Sequence, residues 1–103
     1  MAVALFVVRA NITKEQEAAF NRWYNTEHVP QVPRYNGAVS ARRYRRIIGN
    51  DKYEYMAVYE FASEEVYRTF MASDQLKELR AEYDKHFGKV SEREGCGYVQ
   101  VFP

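Results

Sequence analysis

Residues Ala2 to Ala10 place Val3, Leu5 and Val7 on one side of an extended chain and Ala4, Phe6 and Val8 on the other. A strand that is apolar on both faces cannot lie at a solvated surface, so each side of its sheet needs a cover. The apolar stretch from Met1 ends at Arg9, too soon to cross a bilayer, and it lacks the basic start of a secretory leader. It reads as the buried first strand of a cytoplasmic protein with no membrane partner. The length of 103 residues gives room for one domain, 1–103, and none for a separate dinucleotide-binding unit.

Beyond that strand, Thr13-Lys14-Glu15-Gln16 has capping-box form, with Thr13 as N-cap and Gln16 reaching back. The spacing predicts a helix from Lys14 to about His28, with Phe20, Trp23, Tyr24 and His28 on one stripe and Pro30 and Pro33 as its stop. After a turn at Tyr35-Asn36-Gly37, strands are expected from Ala38 to Ile48 and from Tyr53 to Phe61, joined by a hairpin loop at Gly49–Lys52. The second of these carries Tyr53, Tyr55, Ala57, Tyr59 and Phe61 on one face. Ser63 with Glu64 and Glu65 opens a helix to about Met71, and Ser73-Asp74 opens another. Leu76, Leu79, Tyr83 and Phe87 stripe that last helix, Gly88 ends it, and Cys96 to Phe102 forms the final strand. The order βαββα(α)β is the split βαβ, or ferredoxin-like, pattern: an α+β fold with a four-stranded antiparallel sheet and helices on one face. The bare face then needs its own cover. A second copy of the chain, docked sheet to sheet about a two-fold axis, supplies it, and a homodimer is expected. The rival is a monomer whose outer face is shielded by long side chains.

Composition removes several function classes. Fifteen Lys plus Arg against 14 Asp plus Glu leave a net charge of +1, which gives no field for nucleic acid. The single Cys96, between Gly95 and Gly97, excludes an intrachain disulfide and a cysteine-based zinc site, and reads as a small residue at a strand start. Glu27 and His28 are adjacent, so on a helix they point about 100° apart, and no His-x(3)-His pair occurs. With no phosphate loop and no serine nucleophile elbow either, the expectation is no metal and no cofactor.

What remains is centred on His28. Tyr24 and His28 stand at i, i+4 and can meet on one helix face. At a helix C-terminus the dipole favours the protonated imidazole, which suits an acid–base residue near neutral pH and equally suits a histidine that merely caps its helix. Between His28 and Asn50 there is no acidic residue, while Arg34, Arg42, Arg43, Arg45 and Arg46 all fall there. For a direct hairpin, Arg43 and Arg45 share a face with Glu54 and Glu60 in cross-strand ion pairs, and Arg42, Tyr44 and Arg46 share a face with Tyr55 and Tyr59. A tyrosine-lined face holding Arg42 and Arg46 suits a planar, anionic, aromatic small molecule. The alternative is an edge strand guarded by charge.

The pattern Phe20, Trp23, His28, Pro30, then Gly37 and Ala41-Arg42-Arg43-Tyr44, resembles the dimeric α/β-barrel superfamily, above all its EthD-like families and a related bacterial domain of uncharacterised function. The resemblance implies a dimer of ferredoxin-like subunits with a pocket between sheet and helices in each. It places Trp23 and His28 at that pocket and makes His28 the acid–base residue. Some members bind haem through a histidine on another element; here His86 is the only other histidine and carries no haem signature. The reading drawn from these residues is a cofactor-independent lyase, isomerase or cyclase acting on an aromatic, polyketide-like or xenobiotic-degradation intermediate. His28, Tyr24 and Tyr44 would be catalytic, and Trp23, Arg42, Arg46, Tyr55 and Tyr59 would bind substrate. A cofactor-free monooxygenase and a non-catalytic binding dimer are the alternatives.

Overall fold

The computed structural model describes residues 2–103; Met1 lies outside them. Strands β1 (Ala4–Ile12), β2 (Ala38–Arg45), β3 (Tyr55–Phe61) and β4 (Ser91–Val99) form one antiparallel sheet in the order β2-β3-β1-β4. The doubly apolar β1 is central, as its composition demands, with β3 on one side and β4 on the other. Its residues Ala4, Phe6, Val8 and Ala10 are buried against the helices together with Tyr55, Ala57, Tyr59 and Phe61 of β3. Its other face, with Leu5, Val7, Met56 and Val58, is only half-buried.

The helical layer begins with a 3-10 turn (Lys14–Gln16) and α1 (Glu17–Trp23). A π-helical turn (Tyr24–His28) follows, then a short α2 (Val29–Gln31) and a second 3-10 turn (Val32–Arg34). Pro30 and Pro33 explain this irregular passage. Neither has an N–H to donate, and each stands at the start of a new helical turn, where that loss is tolerated. Thr26 adds to it by donating its hydroxyl to the Arg22 carbonyl, at 2.7 Å. The prolines therefore reshape the helix and do not stop it. After β3 come α3 (Glu64–Met71) and α4 (Asp74–Phe87), capped as expected by Ser63 and Ser73, whose hydroxyls accept from the Val66 and Leu76 amides. Phe20, Phe61, Phe70 and Tyr83 are fully buried and close the core between the layers; truncating such a ring to alanine costs about 3–5 kcal/mol.

Several expectations need correction. The Thr13 side chain makes no cap bond; its amide instead donates to the Val90 carbonyl. Strand β4 begins at Ser91, so Gly95 and Gly97 lie inside it opposite Val8 and Phe6, and Cys96 sits half-buried on the outer face opposite Val7. Strand β2 ends at Arg45 and β3 starts at Tyr55, which makes the connection span 46–54 and not the short loop inferred. Within it Tyr53 leaves the face of Tyr55 and packs with Arg9 and Lys52, donating to Glu94 at 3.3 Å.

The consequential correction concerns β2. Its register pairs Ala41 with Tyr59, Arg43 with Ala57 and Arg45 with Tyr55, and shifts between Ala38 and Ser40. Arg43 and Arg45 therefore share the inner face with Tyr55 and Tyr59. Arg42 and Tyr44 lie opposite Val58 and Met56 on the outer face. A slip of one residue exchanges the faces of every side chain in a strand. Among the described residues no helix is long and apolar enough to cross a membrane.

Candidate functional site

The π-helical turn decides where the histidine goes. Residues five apart diverge on a regular α-helix but approach one another where the turn widens. Trp23 and His28 are such a pair, and their rings stack at a centroid distance of 4.6 Å and 21° between planes. Tyr24 meets the same imidazole edge-on at 5.1 Å. His28 is thereby held beneath the helical layer, 6% exposed, and caps nothing at the surface.

Burial reverses the protonation expected from the helix dipole. Desolvation, followed by the nearby Arg93 charge, pushes His28 down to about 4, so the imidazole is neutral at pH 7. Burial likewise raises Tyr24 to about 12, with a further push from Tyr83 and opposition from Arg93 and Arg43. Tyr59, buried beside Tyr24, is also raised well above the ordinary phenol range, chiefly by desolvation. Both phenols are hydrogen-bond donors across the physiological range.

These groups border a cavity of about 150 Å³ between the sheet and α4. The apolar half of its wall comes from Phe6, Val8, Val32, Phe70, Leu76, Leu79 and the bare backbone of Gly95. Tyr24, His28, Tyr59, Arg80 and Arg93 supply its polar part. His28 Nδ1 and the Tyr59 hydroxyl are buried and have no hydrogen-bond partner. Buried polar atoms in a native protein are almost always satisfied, and leaving one bare costs about 1–3 kcal/mol. The residues that carry these two atoms both line the hollow, which marks it as a candidate ligand site.

The structure brings His28, Tyr24 and Tyr59 together, with Trp23 behind the imidazole and outside the cavity. It does not bring the other candidates there. Tyr44 and Arg42 are exposed on the opposite face of the sheet, with Arg42 donating to Ser40 at 3.2 Å. Arg46 bonds weakly to its own connecting loop, through the carbonyls of Tyr53 and Gly49. The Tyr55 hydroxyl donates to the Glu17 carboxylate and accepts from Asn21 at a separate, shallow groove shared with Arg43. His86 is exposed and lies 5.4 Å from the Trp23 ring. Sequence reasoning missed Arg80 and Arg93. The available signal was parity: in a strand reaching back to Ser91, Arg93 falls on the same face as Gly95 and Gly97. Among the described residues no group of three or more His, Cys, Asp or Glu could hold a metal ion.

The fold is the ferredoxin-like one. A protein of the ethyl tert-butyl ether D (EthD) family from Bacillus halodurans superposes with a TM-score of 0.67 at 21% identity, over 93% of this chain and 97% of that one. A DABB family protein with a ferredoxin-like fold from Mesorhizobium loti gives 0.71 at 10% identity, over 99% and 100%. A cofactor-independent oxygenase from Streptomyces nogalater gives 0.60 at 18% identity, over 98% and 95%. No curated protein matches the sequence. Residues 3–92 match the family described as a domain of unknown function, DUF4286, and the chain belongs to that family.

Proposed function

We propose that the cavity binds a one-ring, enolisable compound and that the protein is a cofactor-independent enzyme of the lyase, isomerase or cyclase type. In this reading His28 takes a proton from carbon beside a carbonyl. The observation that carries it is that His28 and Tyr59, whose Nδ1 and hydroxyl have no hydrogen-bond partner, both line one hollow of mixed polar and apolar wall. The C–H electrons move onto the carbonyl oxygen as an enolate, which neutral Tyr59 and Tyr24 can stabilise by donation. The proton held on His28 then returns to another atom, or the enolate expels a leaving group or closes a ring. The empty-site value of about 4 makes His28 a weak base, and a bound anion beside it raises that value. Trp23, stacked on the ring, fixes its orientation. Of the aromatic intermediates expected from sequence, the volume favours a single ring, because a cavity of about this size holds a benzene-sized molecule.

Ketonisation of enol phenylpyruvate, followed by its ultraviolet absorbance, tests this. The expected result is acceleration that falls about 10²–10⁴-fold in His28→Ala with an unchanged circular dichroism spectrum. An equal rate in that variant removes His28 from the mechanism. An oxygenase would hand the enolate electrons to dioxygen, as the likeness to a cofactor-independent oxygenase suggests, and oxygen uptake during turnover separates the two.

The half-buried outer face of Leu5, Val7, Met56 and Val58 supports a second part of the reading, a homodimer through the sheets. Sedimentation should give twice the chain mass, and Val58→Asp should give one chain mass. A wild-type monomer at high protein concentration would end the dimer proposal.

A further inference from the structure

Arg80 and Arg93 reach the cavity from different elements, α4 and β4. Arg93 stands opposite Ala10, whose side chain is buried beneath the helices, so both rise from the inner face. Its guanidinium carbon lies 3.6 Å from the centroid of the Tyr83 ring, which covers one flat side of the group. Tyr83 is itself fixed: it is 1% exposed, and its hydroxyl lies 2.7 Å from Ser91 Oγ, which donates to the Phe87 carbonyl. The edge of the guanidinium is far less occupied. Asp84 approaches Nη2 only to 3.7 Å and is 70% exposed. No carboxylate lines the cavity, and the other polar neighbour of the Arg93 guanidinium is the neutral Tyr24 hydroxyl.

We infer that the cavity is selective for a monocarboxylate, with Arg93 as the specificity-determining residue, Arg80 as a second cation at the rim, and a single aromatic ring seated against Phe6, Val8, Phe70 and Leu76. Two arginines against one distant aspartate leave about one positive charge to be met, which fits a carboxylate. The planar fork of a guanidinium matches a carboxylate in two parallel bonds. The Tyr83 stack preorganises that fork, so little side-chain freedom is lost on binding. This inference rests on the cavity being a ligand site and does not need proton transfer at His28.

Benzoate and its neutral isostere benzamide are the probes, titrated into the full chain at pH 7. The readouts are the fluorescence of Trp23, the one tryptophan of the sequence, and amide NMR shifts. Benzoate should bind at least about tenfold more tightly than benzamide. Arg93→Gln should erase that preference, and Arg80→Gln, at an exposed position, should weaken benzoate by a smaller, salt-sensitive factor. Equal affinity of the two probes in the wild type overturns the inference, as does a preference that survives in folded Arg93→Gln. Should that variant fail to fold, Arg93→Lys decides: it keeps the charge and loses the fork, so undiminished benzoate affinity there also overturns it. If neither probe binds, the inference and the ligand-site reading fall together. Benzoate selectivity alongside undiminished phenylpyruvate turnover in His28→Ala would end the catalytic reading and leave this site standing.

Discussion

Arg43 and Arg93 occupy matching places at opposite edges of the sheet. Each points inward from an edge strand toward the helical layer, and each lies on an aromatic ring. Arg43, on β2, is wrapped. Its guanidinium carbon is 4.5 Å from the Tyr24 ring, 5.2 Å from Tyr55 and 5.7 Å from Phe20, and its Nη1 donates to Asn25 at 3.0 Å. Arg93, on β4, has one ring, the Tyr24 hydroxyl and one distant aspartate, and then a hollow. The sequence around each accounts for the contrast. Phe20 and Tyr24 of the first helix close over β2. On β4 the inward positions flanking Arg93 are Ser91, whose small side chain is taken up by Tyr83, and Gly95, which contributes no side chain. The same chemical group is thus a structural cation at one edge and an available recognition element at the other.

Stability separates the two most widely. Arg43→Ala should lower the unfolding free energy by about 3 kcal/mol, from a lost hydrogen bond and desolvated cation–π contacts, while benzoate affinity per folded molecule stays unchanged. A destabilisation under about 1 kcal/mol would break the contrast. Acid should act nearly as strongly at the Arg93 edge. His28 falls from an ordinary 6.5 to about 4 on folding, so its contribution is complete above pH 6.5 and is lost as pH drops toward 4, reaching about 3 kcal/mol. Denaturant melts of wild type and His28→Asn across that window should converge as the pH falls; parallel curves would mean the imidazole is not held neutral. Gly95→Ala comes next. Its new Cβ would stand 2.9 Å from Phe6 Cε1, and the ring can yield into the cavity. The expected cost is about 1 kcal/mol, with benzoate weakened about tenfold. Unchanged benzoate affinity would show that the ring does not seat there. The smallest stability effect belongs to Arg93→Gln itself, under about 1 kcal/mol, with His28 titrating at higher pH by NMR once the opposing charge is gone.

Element order was legible because it depends on local patterns. The doubly apolar β1, the serine caps of α3 and α4 and the tyrosine alternation of β3 each announce themselves within a few residues. The faces of β2 were not legible. They turn on the connection 46–54 and on the shift between Ala38 and Ser40, and neither is encoded in the alternation of Arg42 to Arg46. His28 and Tyr24 could be chosen from spacing, but not their environment. The dipole argument assumed a helix ending at His28 in water, whereas the prolines after it carry the helical path onward and leave the imidazole buried. Arg93 was hidden by a strand assigned too short.

The π-helical turn at Tyr24–His28 has a genetic consequence. Removing one residue from it, Asn25 or Thr26, would let the segment relax into an ordinary helix in which Trp23 and His28 stand four apart and still share a face. The regular turns of α1 hold no such spare residue, and deleting Asn21 or Arg22 would swing Phe20 by about 100° off the core face. A single-codon deletion is therefore better tolerated within 24–28 than in the helix before it, and the stack on the imidazole survives it.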